Sequence, residues 1–272
     1  MRTVLLIRHG VVSEEAEERF LGAADAPMGA AGEAQISELA ARLRARVTPD
    51  TIYCSDLSRS LRTAELLAGG SGVPVRVRPA LREIDMGDWQ GLSRREVAER
   101  RPADYLARGR DIANFRPPGG ESFADVASRA LPCWRDIVED GEAQVVAIAS
   151  HAGVNRVLLC HLLGAPLANL FRIAQRPACL NVVEWRKDGN RCSAPTFSSS
   201  GVAEIFGAFG GSDTCRSQSI MTCRRARLRR EGWRSSQAPG DGALGGQRRR
   251  RRSSRRPMRT ACERAMSRVA TA

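Results

Sequence analysis

Through the first 190 residues, short apolar runs alternate with stretches in which apolar residues recur every three or four positions. The runs predict strands at Thr3–Ile7, Thr51–Cys54, Val73–Val77, Val145–Ala149 and Leu180–Trp185. The helical spacing predicts helices over Gly32–Arg46, Leu57–Ala68, Arg94–Arg101, Ser122–Glu139 and Val154–Leu163. On the first of these, Ile36, Leu39, Ala40 and Leu43 share one face. Gly69-Gly70 and Gly164 stand as stops, and Pro102 closes the Arg94–Arg101 helix. Pro132 should kink or divide the helix that holds it. Pro74 points to an edge position for its strand. Val145–Ala149, apolar throughout, reads as a central strand covered on both faces.

Strands alternating with helices predict a three-layer α/β/α sandwich around a mostly parallel sheet. About 190 residues are enough to bury a substantial core. Sites on open α/β sheets form beyond the carboxyl ends of the strands. Two strand ends here carry histidine: Thr3–Ile7 runs into Arg8-His9-Gly10, and Val145–Ala149 runs into Ser150-His151-Ala152-Gly153. The chain has 3 His in all.

The pattern stops after Asn190. The 272 residues hold 43 Lys and Arg against 30 Asp and Glu, a net charge of +13. Residues 191–272 carry 18 Arg and 5 acids, so residues 1–190 are balanced at 25 of each sign. The first part is therefore not a basic nucleic-acid domain. The Ser-, Gly- and Arg-rich remainder lacks apolar periodicity and is expected to be a disordered basic C-terminal tail. Domains are accordingly placed at 1–190 and 191–272. A single Lys against 42 Arg suggests a GC-rich coding sequence. The tail then reads as a frameshifted or otherwise non-native extension, with nucleic-acid or acidic-membrane binding by charge ranked below it. No apolar stretch approaches the roughly 18 residues of a spanning helix, and no signal peptide is visible before Arg8-His9. The 8 cysteines form no C-x-x-C pair, and those before residue 190 read as reduced cytosolic thiols. A cytoplasmic location is expected.

The motifs resemble those of the histidine phosphatase superfamily, the phosphoglycerate mutase-like enzymes. Leu6-Ile7-Arg8-His9-Gly10 resembles its R-H-G signature. Arg19-Phe20-Leu21-Gly22 with Asp25-Ala26-Pro27-Met28 resembles the stretch that follows. Ser55-Asp56-Leu57-Ser58-Arg59-Ser60 with Thr63-Ala64, and Leu81-Arg82-Glu83 with Gly87 and Trp89-Gln90-Gly91, resemble the next two segments. Gly119-Gly120-Glu121-Ser122 and Ser150-His151-Ala152-Gly153 resemble the last two. All six lie in order between residues 3 and about 186.

The resemblance implies a phosphoglycerate mutase-like fold and an enzyme without cofactor or metal. His9 would be the nucleophile that forms a phosphohistidine. Arg8 and Arg59 would hold the phosphate, and His151 would donate to an equatorial oxygen. Glu83 would be the proton donor and acceptor, with a bound dianion raising its pKa. Taken singly, a strand-end histidine is a structural residue and Glu83, near Asp85 and Asp88, a solvated carboxylate; their places in matching segments change that reading. Arg62, one turn from Arg59, is expected at the surface. Glu121-Ser122 should cap the helix that follows, and His161 should be a packing or capping residue. Two positions depart from the pattern: Glu15 stands where many members have Asn, and Val11 where many have Glu or Gln.

The 67 residues between Glu83 and His151 resemble the compact phosphatase branch, with its broad-specificity and α-ribazole phosphatases. Gly109 to Gly120 is a candidate cover over the site. The reading is a phosphatase for small phosphorylated metabolites. The alternatives are phosphoglycerate mutase-type transfer and a non-catalytic phospho-ligand binding module.

Overall fold

The computed structural model describes residues 2–12 and 18–185 in full and 193–198 as backbone. Expectations for Glu15 and for the rest of 191–272 lie outside the described residues.

Six strands form one sheet in the order β3-β2-β4-β1-β5-β6. They are β1 Arg2–Arg8, β2 Thr51–Cys54, β3 Val75–Val77, β4 Val145–Ser150, β5 Leu180–Trp185 and β6 Ser193–Ser198. The first four in spatial order are parallel, while β5 runs antiparallel to β1 and β6 antiparallel to β5. The helices are α1 Ala30–Arg44, α2 Ser58–Ala68, α3 Arg94–Arg100, α4 Pro102–Arg110, α5 Phe123–Glu139 and α6 Ala152–Leu163.

The period-2 alternation of β1 divides the core. Val4 and Leu6 pack with Val146, Ile148, α5 and α6 on one face. Leu5 and Ile7 pack with Ile52, Ala147, α1 and α2 on the other. Residues of both faces are apolar because both are covered, so β1 and β4 read as unbroken apolar runs. This is the expected three-layer α/β/α sandwich. Gly69 and Gly164, with φ of 52° and 62°, end α2 and α6 in the left-handed region.

Three expectations need correction and a fourth narrows. Pro132 does not divide α5, which is continuous from Phe123 to Glu139. Val126, Ala130, Cys133, Trp134 and Ile137 are buried on both sides of the proline, and packing of that face outweighs the lost backbone hydrogen bond. Pro102 closes one helix but also opens another, α4, as a first-turn proline. His161 is exposed in the last turn of α6, so it does not pack in the core; of the two roles expected the capping one remains, its carbonyl accepting from Gly164 N–H. Finally, β5 is not the last strand. The sheet runs past the boundary placed at residue 190, because β6 covers the β5 edge. The β5–β6 register is irregular between Val182 and Glu184. Pro195 falls opposite that irregularity, on an edge strand, where a missing backbone donor is tolerated.

The central position of β4 leads to a stability prediction. Ile148 is fully buried, so Ile148→Ala should cost about 2–5 kcal/mol. Val77 is exposed on the edge strand, and Val77→Ala should stay within about 0.5 kcal/mol of the parent. Urea unfolding midpoints measure both, and equal costs would contradict this layering.

Candidate active site

The pairing of β1 with β4 builds the site. Arg8 lies opposite Ser150 in the parallel register, and His9 N–H donates to the Ser150 carbonyl at 3.1 Å. His9 and His151 therefore leave neighbouring strands at the same level, with ring centroids 5.2 Å apart.

Both rings are buried, His9 at 5% exposure and His151 at 0%. Burial, with Arg8 and Arg59 nearby, pushes the His9 pKa down to about 3. Burial foremost, then His9, Arg59 and Arg8, puts His151 well below its ordinary value. Both are neutral at physiological pH. His9 Nδ1 lies 2.7 Å from the Gly10 carbonyl oxygen. A carbonyl only accepts, so Nδ1 carries the proton and Nε2 keeps its lone pair. His151 Nε2 lies 2.7 Å from Ser55 Oγ. That oxygen also accepts from Leu57 N–H, and its hydroxyl hydrogen can turn to Nε2. In that arrangement the His151 proton sits on Nδ1, a buried atom with no partner among the described residues.

Arg59 enters from the first turn of α2 and is 1% exposed. Its terminal nitrogens donate to the carbonyls of Ala24 at 2.7 Å and Gly22 at 2.8 Å. The same segment caps α2, since Asp25 Oδ1 accepts from Ser58 N and Oγ at 2.8 and 2.7 Å. Arg8 donates to the Gln175 carbonyl at 2.7 Å. Arg62 is partly exposed and pairs with Glu33, so of the two helix arginines Arg59 faces the site.

Glu83 comes from the loop after β3. Its carboxylate accepts from Ile84 N–H and from Gly153 N–H, each at 3.0 Å. The second donor is one of the unpaired amides at the start of α6. A Cβ on Gly153 would meet Glu83 Oε1 and displace the carboxylate from this place. Arg129 secures the loop from α5. It donates to the carbonyls of Ala80, Arg82 and Glu83 at 2.7, 2.8 and 3.1 Å. It also binds the Glu121 carboxylate through two contacts of 2.8 and 2.9 Å. Glu121 accepts in turn from Asp85 N–H. Ser122 caps α5 in a reciprocal pair with Asp125.

Arg8, His9, Arg59 and Glu83 line one cavity of about 530 Å³, with His151 against His9 beneath it. The five residues singled out from the sequence are thus brought together. The cover differs from expectation. Arg94, Tyr105 and Arg108 of α3 and α4 line the cavity, and no residue of 109–120 does. Residues 118–121 instead brace the Glu83 loop, through bonds such as Glu121 N–H to the Asp85 carbonyl. Arg156 and Phe171 also line the cavity, and sequence reasoning passed over both. Arg156 left a signal as the sole charge between Val154 and Leu163. Among the described residues, no three His, Cys, Asp or Glu side chains are grouped to hold a metal ion.

Neutral paired histidines in an arginine-lined cavity at a strand-end crevice define an α/β protein built to handle phosphoryl groups. The family described as histidine phosphatase superfamily (branch 1) matches residues 4–196. A glucosyl-3-phosphoglycerate phosphatase of Mycolicibacterium vanbaalenii is 37% identical over 176 residues, covering 62% of this chain and 77% of that protein. An adenosylcobalamin/α-ribazole phosphatase of Salmonella typhimurium is 29% identical over 179 residues, covering 66% and 88%. The structure of a mycobacterial glucosyl-3-phosphoglycerate phosphatase with VO3 superposes with a TM-score of 0.65 at 30% identity, covering 74% of this chain and all of that one. The chain belongs to the histidine phosphatase superfamily, and it is a phosphomonoesterase.

The depressed His9 pKa has a spectroscopic consequence. In ¹⁵N-histidine spectra, His9 should remain neutral at pH 5 with its proton on Nδ1; a midpoint near 6.5 would contradict the buried geometry. The sign for stability follows. Unfolding releases His9 to its ordinary pKa near 6.5, so its contribution is present above that pH and lost as pH falls towards 3.

Proposed function

We propose that His9 attacks the phosphorus of a small phosphate monoester and carries a transient phosphohistidine, which water then hydrolyses. One observation carries this reading: the His9 ring is neutral, its Nδ1–H committed to the Gly10 carbonyl and its Nε2 lone pair available. Tautomer and orientation are set before substrate arrives, so no reorganisation is needed at the moment of attack.

Each neighbour has a role. Arg8 and Arg59 neutralise the phosphate dianion, whose charge spreads over the equatorial oxygens in the transition state. The buried Nδ1–H of His151 gains an acceptor when a phosphate oxygen comes into reach, and that interaction repays a donor otherwise left unsatisfied. Glu83 gives a proton to the departing alkoxide as the P–O bond breaks. It then takes one from the water that attacks the phosphohistidine, and inorganic phosphate leaves. Arg129 and Glu121 act through Glu83 by holding its loop. The substrate is a small phosphorylated metabolite and the setting cytoplasmic, in keeping with the free thiols of Cys54, Cys133, Cys160 and Cys179. Among the described residues no helix is long and apolar enough to cross a membrane.

Hydrolysis of para-nitrophenyl phosphate by the full chain, with chelator present, tests the nucleophile. Turnover should persist in chelator and fall at least about 10³-fold in His9→Ala; equal turnover by both proteins would overturn the assignment. Glu83→Gln separates the second role. An alkyl phosphate needs a proton on its leaving oxygen, whereas para-nitrophenolate leaves readily without one. The variant should therefore lose about 10²-fold or more on glycerol 3-phosphate and clearly less on para-nitrophenyl phosphate. Equal losses would remove Glu83 from the proton-donor role.

A further inference from the structure

The cavity holds more positive charge than one phosphate requires. Arg8, Arg19, Arg59, Arg94, Arg108 and Arg156 line it, and Glu83 is the sole acid among the described lining residues. Two of these arginines stand apart from the phosphate pair. The Arg108 guanidinium lies over the rings of Phe20 and Phe171, at 5.4 and 5.6 Å from their centroids. The Arg156 guanidinium lies 5.1 Å from the same Phe171 centroid. Arg156 Nε donates to the Ile173 carbonyl at 2.9 Å, which orients the fork and leaves its charge uncancelled. Neither arginine forms an ion pair with a described carboxylate, although Arg62, Arg95 and Arg116 all do.

Partly buried cations without counter-ions are costly. An aromatic face offsets only about 0.5–2 kcal/mol of that. A planar guanidinium supported by a ring still presents its edge donors to an oxyanion. Position supplies the rest of the argument. Burial lowers the pKa of Arg156, with Glu83 acting to raise it and Arg8 to lower it further. Arg156 lines the same cavity as Glu83, the group assigned to the leaving oxygen, and stands one turn along α6 from Gly153, whose N–H the Glu83 carboxylate accepts. Arg108 reaches the same ring from α4, the covering helix. Both line the cavity that, on the phosphatase reading, the alcohol portion of the ester enters.

We propose that Arg108 and Arg156, joined by Phe171, form a second anion subsite, and that the substrate's alcohol portion bears a further carboxylate or phosphate. This rests on the phosphatase reading for the direction in which the substrate lies. The subsite separates an ester with a second anionic group from one whose scissile phosphate is its sole anionic group. The shared chemistry is an oxyanion several bonds from the scissile phosphate.

Calorimetry on full-length His9→Ala measures binding without turnover. The probes are two pairs: 3-phosphoglycerate against glycerol 3-phosphate, which tests a carboxylate, and fructose 1,6-bisphosphate against fructose 6-phosphate, which tests a second phosphate. At least one probe with a second anionic group should bind tenfold or more tightly than its partner, and the winning pair names the group. Arg108→Gln and Arg156→Gln, added singly, should each bring that ratio below about threefold. The ratio cancels any loss common to both probes, and having two variants guards against one that folds poorly. Ratios near one in both pairs, no binding by any probe, or a ratio that survives both substitutions would overturn the subsite. Para-nitrophenyl phosphate hydrolysis by the wild-type chain is run beside it. Absence of His9-dependent turnover there would sink the catalytic reading, while the binding ratios still decide the subsite.

Discussion

The parallel register of β1 on β4 is the constraint on which the site depends. With Arg8 opposite Ser150, the next residue on each strand is a histidine. Side-chain direction alternates along a strand, so a slip of one residue would turn Val4 and Leu6 out of one layer and Leu5 and Ile7 out of the other. The core thus enforces the register, and the register places two imidazoles 5.2 Å apart. Burial completes the effect. The same packed sheet that aligns the rings also strips water from them, so both stay neutral beside two arginines. A neutral ring is the form that can attack phosphorus.

Glu83 is positioned by a different device, one based on hydrogen bonds in place of apolar packing. Its loop has little regular structure, and its backbone carbonyls would otherwise depend on water. Arg129 takes three of them and is itself held by Glu121. Close backbone approach does the rest. Gly87 has a φ of 52°, and a Cβ there would strike the Pro118 carbonyl, so glycine alone fits between the Glu83 loop and the 118–121 segment. Gly153 lets the carboxylate reach the first turn of α6. The Glu83 carboxylate is thereby fixed relative to the His151 strand end, although it lies 68 residues upstream of it in the chain.

These two devices explain what was legible in the sequence. Apolar runs and strand-end histidines are local signals, so Thr51–Cys54 and Leu180–Trp185 match the observed strands to the residue. Arg8, His9, Arg59, Glu83 and His151, which the structure brings together, could be singled out because each sits in a short matching segment. Features set by tertiary contacts were not visible. Pro132 looks like a breaker until the buried face on both sides of it is known. Ser193–Ser198 carries too few apolar residues and a proline, and only the open β5 edge gives it a place. Arg108 looks like an ordinary surface arginine because its aromatic partners, Phe20 and Phe171, are 88 and 63 residues away in sequence.

The arginines finally divide into two chemical classes, and the division bears on function. Arg62, Arg95 and Arg116 meet carboxylates at the surface, where such pairs contribute little and leave no net charge. Arg59 and Arg156 are oriented by backbone carbonyls instead. A carbonyl dipole directs a guanidinium without neutralising it, so the charge remains for a ligand. Burial raises the cost of keeping that charge, as the lowered pKa values of Arg59, Arg108 and Arg156 indicate. The fold sustains this cost through the apolar core and carbonyl cages around the cavity. An arriving dianion then meets fixed, partly desolvated cations, where each Coulomb interaction is stronger than in water. The same arrangement favours the phosphoryl transition state, because its charge develops among donors already in place. Neutralising these arginines with neighbouring carboxylates would make the apo protein more comfortable electrostatically and the site weaker as a catalyst.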